Sequence, residues 1–392
     1  MKRFVTILAV LLTLAVTGRS QELQQYKYGL YDDYFVNPAY VGTPNYYTLM
    51  LGHDTKFSGL KGISPRTYYL SLHSRVGQGY LFEKGGKINK FFSKFGNTAF
   101  GFQGFVYNYG PKFEYNLGLT YGYHIDLQPN LNTKLPRKLV LAFTPRLMMV
   151  NYDRSRFVDD DGQLLTDIDD PIFPADLDGN LFHMGFKLDV GALFQTTYYD
   201  IGLSWLNLNN GRSGFESDTI IYGRTKVEND TVTTYTGGYG IYDSIYSSTI
   251  GLDAKLKFLN LIKSNKFDVN FLPNLRMYYK PNSRDYEVAA DFRFDMNLYD
   301  VITSARRKLM YNLQAGANVV YTRFYRPTLV IQPYVAFDFL NFKMYYTYQF
   351  NPSLKIPGYW GRNQVAFVYQ LGRDKFDRDS DKSSKPILRK KH

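Results

Sequence analysis

Strict apolar and polar alternation, sustained over a dozen residues or more, constrains this chain more than any other feature. Between Phe113 and Asp126, the residues Phe113, Tyr115, Leu117, Leu119, Tyr121, Tyr123 and Ile125 are apolar, while Glu114, Asn116, Gly118, Thr120, Gly122, His124 and Asp126 are polar or glycine. A period of two places one class of residue on each face of a β-strand. The pattern returns over 182–194 and again over 286–297. Strands of soluble proteins most often have about five or six residues, whereas a tilted strand needs about nine to eleven to cross a bilayer. Runs of this length therefore predict strands that cross a membrane.

Fourteen segments carry the pattern: 45–54, 65–74, 98–107, 113–126, 138–151, 181–194, 198–207, 248–258, 267–280, 286–297, 309–322, 328–340, 342–350 and 363–372. The number is even, and the connections after odd strands are longer in sum than those after even strands. A bacterial barrel with both chain ends on the periplasmic side and longer outer loops has this arrangement. The turns at 195–197 and at Asn341 are short enough for tight hairpins. One connection, 75–97, is long and basic on the side that should carry short turns. So many strands with an apolar face need a covering layer, and no segment of helical length supplies one, so lipid must. The expected fold is all-β, a single transmembrane antiparallel β-barrel of about 14 strands over 45–372. Pro273 and Pro333 fall inside strand patterns and predict bulges or kinks there. A soluble two-sheet sandwich is the alternative fold.

Composition agrees with this reading. The 392 residues include 36 Tyr and 30 Phe, and 17% of positions are aromatic against 21% charged. That excludes a disordered chain and suits the aromatic girdles of a barrel. There is no Cys, which removes disulfide frameworks, thiol nucleophiles and thiolate metal sites. Residues 1–20 combine a basic start, Met1-Lys2-Arg3, with an apolar run from Phe4 to Thr17 and small residues Gly18 and Ser20. This is the pattern of a cleaved export signal peptide, too short to span a bilayer. Residues 21–44 are expected as an N-terminal periplasmic segment, and 373–392 as a mobile basic periplasmic tail. The formal charge of +12 falls to +9 once Lys2, Arg3 and Arg19 leave with the signal. Its Lys and Arg residues are scattered among aromatic strands, a distribution that does not suit nucleic acid.

Candidate chemistry is sparse. His53, His73, His124, His183 and His392 form no metal-type spacing, and no catalytic pair accompanies them. His124 and His183 lie on the polar face, where a solvated lumen residue is expected. The stretch 158–178 is rich in Asp, and Asp176 and Asp178 are weak metal candidates because hard oxygen ligands hold calcium. No Glu closes that loop, so a solvated acidic outer loop is the better reading. Neither an enzyme nor a cofactor is expected.

Three short elements carry a resemblance. They are Tyr34-Phe35-Val36-Asn37-Pro38-Ala39-Tyr40-Val41-Gly42, then Gly59-Leu60-Lys61-Gly62-Ile63-Ser64-Pro65-Arg66-Thr67, then Leu70-Ser71-Leu72-His73. They are similar to the opening of the PorP/SprF outer-membrane proteins of the Bacteroidetes type IX secretion system. The matching positions are Asn37, Pro38, Ala39 and Gly42; Gly59, Gly62, Pro65 and Thr67; and Ser71 and His73. Lys56 and Phe57 depart from the basic and Trp positions usual before the second element, and one extra residue separates Gly62 from Pro65. By themselves the motif residues look like turns and strand starts, not a reactive site. The resemblance implies an outer membrane of a Gram-negative bacterium, and contacts with lipid and with the secretion machinery. It also implies a non-enzymatic accessory role in export or attachment of a large secreted adhesin, of the gliding-motility kind. The alternatives are a shared component touching the periplasmic ring, or a porin-like channel lined by Glu114, Asn116, Lys187, Asp189, Asp291, Arg293 and Asp295. For a docking barrel the outer loops 152–180 and 208–247 would be the binding surface.

Overall fold

A computed structural model describes residues 31–43, 47–56, 65–76, 97–109, 112–127, 137–152, 182–208, 223–228, 231–236, 248–281, 285–303, 306–324, 326–339, 341–351 and 361–371. The export-signal region, Gly59, Gly62, the 77–96 stretch, Asp176, Asp178 and the tail from 372 onward lie outside the described residues.

The alternating segments form strands at the expected places. They are β1 (Tyr47–Lys56), β2 (Arg66–Arg75), β3 (Thr98–Tyr109), β4 (Lys112–Asp126), β5 (Lys138–Tyr152), β6 (Phe182–Gln195) and β7 (Tyr199–Leu206). After a separate hairpin of β8 (Gly223–Glu228) and β9 (Thr231–Thr236) come β10 (Thr249–Leu256), β11 (Phe258–Lys263), β12 (Phe267–Lys280) and β13 (Asp285–Thr303). The chain ends in β14 (Arg306–Phe324), β15 (Arg326–Phe339), β16 (Phe342–Gln349) and β17 (Arg362–Leu371). Neighbours in the wall pair antiparallel, β17 joins β1, and β10 joins β7 on one side and β12 on the other, which closes the sheet. Since β11 only continues β10 past Lys257, the wall is a closed barrel of fourteen strands. The β8–β9 hairpin lies in a connection read as a plain loop; six-residue strands are too short to show a clear period.

The faces are assigned as the alternation requires. On β4, Leu119 is 64% exposed and its neighbour Thr120 is 2% exposed. The apolar face therefore points outward, where lipid covers it, and the polar face points into the lumen. No described helix is long and apolar enough to cross a membrane; the strands do so.

Pro273 and Pro333 produce no register shift in the ladders that pair them with Phe292 and Ala317. This corrects the expectation of bulges at those points. Each proline instead sits where the ladder on its other side is interrupted. Pro273 falls between the β10 and β11 pairings, and Pro333 falls just before the β15–β16 ladder begins at Tyr334. No N–H is needed there, so none is missed.

The lumen is not empty. Residues 31–43 form two single-turn 3-10 helices, Asp33–Phe35 and Pro38–Tyr40, and lie inside the barrel. This differs from the periplasmic position expected for 21–44. The reason is physical: Tyr34, Phe35, Val36, Ala39 and Val41 are fully buried or nearly so, and the barrel interior is the apolar cover within reach. Three apolar clusters fill the interior, and each contains residues of this segment.

Candidate functional site

The inserted segment and the lumen wall it touches form the candidate site. Asn37 caps the second 3-10 turn, with Oδ1 accepting from the Ala39 N–H at 2.9 Å. That bond fixes the amide so that Nδ2 faces the wall, within 3.3 Å of Asp253 Oδ1, 3.4 Å of the Ala192 carbonyl and 3.5 Å of the Leu203 carbonyl. Pro38 starts the same turn, where its fixed φ fits and no N–H is required. Tyr40 donates to Asp253 Oδ2 at 2.5 Å. Burial and then the Asp253 carboxylate push the Tyr40 hydroxyl well above its usual range, so it stays a donor.

Asp32 and Asp33 anchor the segment to opposite parts of the wall. Asp32 caps the first turn through Tyr34 N–H at 3.1 Å and accepts from Ser71 Oγ at 2.8 Å. It also lies 3.2 Å from His73 Nε2. The Gly42 N–H donates to His73 Nδ1 at 3.1 Å, so the ring hydrogen is placed on Nε2 and donates to Asp32. Asp33 pairs with Lys255 on β10 and, at 2.6 Å, with Arg276 on β12. Removal from water opposes ionisation of Asp33, but the Lys255 and Arg276 cations outweigh it and hold the carboxyl well below the usual carboxylate range.

The remaining contacts complete a ring of spokes. Tyr31 donates to Thr347 on β16 at 2.8 Å, and the Gln364 amide on β17, oriented so that its oxygen accepts from Arg362, donates to the Tyr31 hydroxyl at 2.6 Å. Tyr34 donates to Thr120 at 2.5 Å, and its carbonyl accepts from Gln103 at 2.8 Å. Gln103 is held by Arg146, which pairs with Asp189 at 2.5 Å. His124 is not a solvated lumen residue as expected, since it is 1% exposed and meets the Val41 carbonyl at 2.9 Å.

Wall glycines make room. A Cβ at Gly191 would collide with Asn37 and lie 3.0 Å from the Ala39 nitrogen, and one at Gly101 or Gly122 would meet Tyr34 or Val41. Gly42 itself has φ of 63°, and a Cβ there would stand 3.0 Å from the Arg75 nitrogen.

The sequence elements are thus brought together in part. Asn37, Pro38, Ala39 and Gly42 sit in the lumen, Ser71 and His73 face them from β2, and Pro65 and Thr67 lie at the far end of that strand. The sequence reading missed Tyr31, Asp32 and Asp33, and Tyr40 with its wall partner Asp253. The available signal was the pair Asp32-Asp33 followed by aromatics in a stretch without strand alternation. Of the residues read as a channel lining, Asn116, Lys187, Asp189 and Asp291 are buried, and Asp291 accepts from Tyr334 at 2.9 Å. Among the described residues no group of His, Asp or Glu has the arrangement of a metal site. The arrangement binds the chain's own residues 31–43.

The sequence model of a family described as type IX secretion system membrane protein PorP/SprF matches residues 18–363. No curated protein matches the sequence. Among solved structures, the CymD monoaromatic hydrocarbon channel is similar over 91% of this chain and 95% of its own, with 11% identity and a TM-score of 0.38. A Pseudomonas aeruginosa FadL homologue is similar over 85% and 91%, with 10% identity and a TM-score of 0.33. A bacterial polysaccharide outer membrane secretin is similar over 83% and 99%, with 9% identity and a TM-score of 0.33.

Proposed function

Because the chain belongs to the PorP/SprF family of type IX secretion membrane proteins, we propose that it is an outer-membrane docking barrel that assists export or surface attachment of a large secreted adhesin. The observation that carries this reading is the occupied lumen. A wide barrel whose axis is filled by its own residues 31–43, tied to the wall by buried hydrogen bonds and ion pairs, is built to hold loops in place, not to pass solutes. The outward apolar face supports a membrane position, and the family supports the secretion role. No chemical step is assigned to it. The outer connections 152–180 and 208–247 would carry the partner contacts.

The test is recovery of the tagged protein in mild detergent with identification of what accompanies it. A giant surface adhesin, retained in proportion to the barrel, is the expected result. Periplasmic ring lipoproteins in its place would move the assignment to a shared component of the machine. Recovery of neither would contradict the secretion role.

A further inference from the structure

The wall is unevenly stitched. β13 and β14 pair from Tyr286 to Thr303, and β5 and β6 pair from Lys138 to Asn151. By contrast, β6 and β7 pair only over Val190–Gln195, β7 and β10 over Thr249–Leu256, and β10 and β12 over Ile250–Lys255. Beyond Lys255 the pairing with β12 becomes irregular between Phe258 and Ile262, around Asn260 with its φ of 56°. The β15–β16 ladder is also short, but the Ile331–Phe350 bridge continues it with two bonds of 3.0 Å. The arc from β6 to β12 is thus a run of three consecutive short ladders among the described strands.

Asp33, Asn37 and Tyr40 of the inserted segment all anchor on that arc. Asp33 bridges Lys255 on β10 and Arg276 on β12, two neighbouring strands of the wall. Asn37 reaches carbonyls of β6 and β7 and the Asp253 carboxylate of β10. Tyr40 takes the other oxygen of Asp253. We propose that residues 31–43 are the lock of a lateral seam in the wall at β7, β10 and β12, and not merely a cork along the axis.

A short ladder inside a bilayer opens only at the cost of exposing backbone N–H and C=O groups to hydrocarbon. Cross-links from the lumen raise that cost, because every opening must also break a buried ion pair or leave a carboxylate unpaired. With the lock seated the seam stays shut. With it withdrawn, β10 and β12 have only six regularly paired residues each to hold them to one another. This explains the Asn-Pro-Ala-Tyr element, for which a solute-blocking role alone demands no particular side chain. The inference does not depend on the secretion reading.

Amide hydrogen exchange on the full protein in lipid nanodiscs is the test. Asn37→Ala and Asp33→Asn should speed exchange about tenfold in β7 and β10, while β4, β5, β13 and β14 keep wild-type rates. Because the chain has no Cys, the pair Ala254→Cys with Leu275→Cys, opposite one another across the seam, can be oxidised in the Asn37→Ala background. The disulfide should restore slow exchange. Tyr40→Phe removes only a hydroxyl and serves as the milder variant should the others fail to assemble; it should give the same regional pattern at smaller amplitude. Exchange that is unchanged, or raised equally in every strand, would overturn the lock.

Discussion

Gly42 and Asp33 set how residues 31–43 sit in the lumen, one by shape and one by charge. Gly42 adopts a left-handed backbone that costs about 1–2 kcal/mol for a residue with a side chain. A Cβ would also press on the backbone of Ser74 and Arg75. Gly42→Ala should therefore lower stability by at least about 1–2 kcal/mol, read as a shift in the urea midpoint of unfolding from vesicles. For Asp33 the sign follows from its direction of shift: the folded carboxyl titrates below its ordinary value of 3.8. Its contribution is whole above that value and declines as the solution becomes more acid. The stability of the native protein should fall as the pH drops below about 4, and Asp33→Asn should make that stretch of the profile flatter. An identical slope in the variant would show that Asp33 is not the titrating anchor. Asn37, Ser71 and His73 were legible as motif positions. Asp33 and Asp253 were not, because a carboxylate looks the same in a sequence whether it meets water or a buried cation.

The strands illustrate what local pattern can carry. Their positions and outward faces follow from alternation alone, since lipid demands one apolar face and a minimum length. The prolines were misread because a strand pattern does not tell which of its two edges is paired at a given residue. On β7, Leu203 points outward and is 55% exposed, whereas Ser204 beside it is 2% exposed. Leu203→Arg should cost about 2–4 kcal/mol if it lies at the bilayer midplane, measured by the same vesicle unfolding. Insertion without loss would mean that this face does not meet hydrocarbon. Residues 31–43 lack any period, so nothing local marked them as an element, and only their burial against the lumen wall makes them one.

At the scale of the whole molecule the barrel is a sheet closed around part of its own chain. Intact protein in a planar bilayer should show no steady open conductance, and a variant lacking 31–43 should conduct if it assembles. Steady current through the intact protein would revive the channel reading and count against a docking barrel. The sequence by itself determined the fold class, the fourteen crossings and which face meets lipid, because period and length are properties of neighbouring residues. Only the tertiary structure decided that the lumen is filled, and by what. The contact of Tyr40 with Asp253 joins residues 213 positions apart. It exists only because closure and register bring β10 around to face the N-terminal segment, and no local signal encodes that distance.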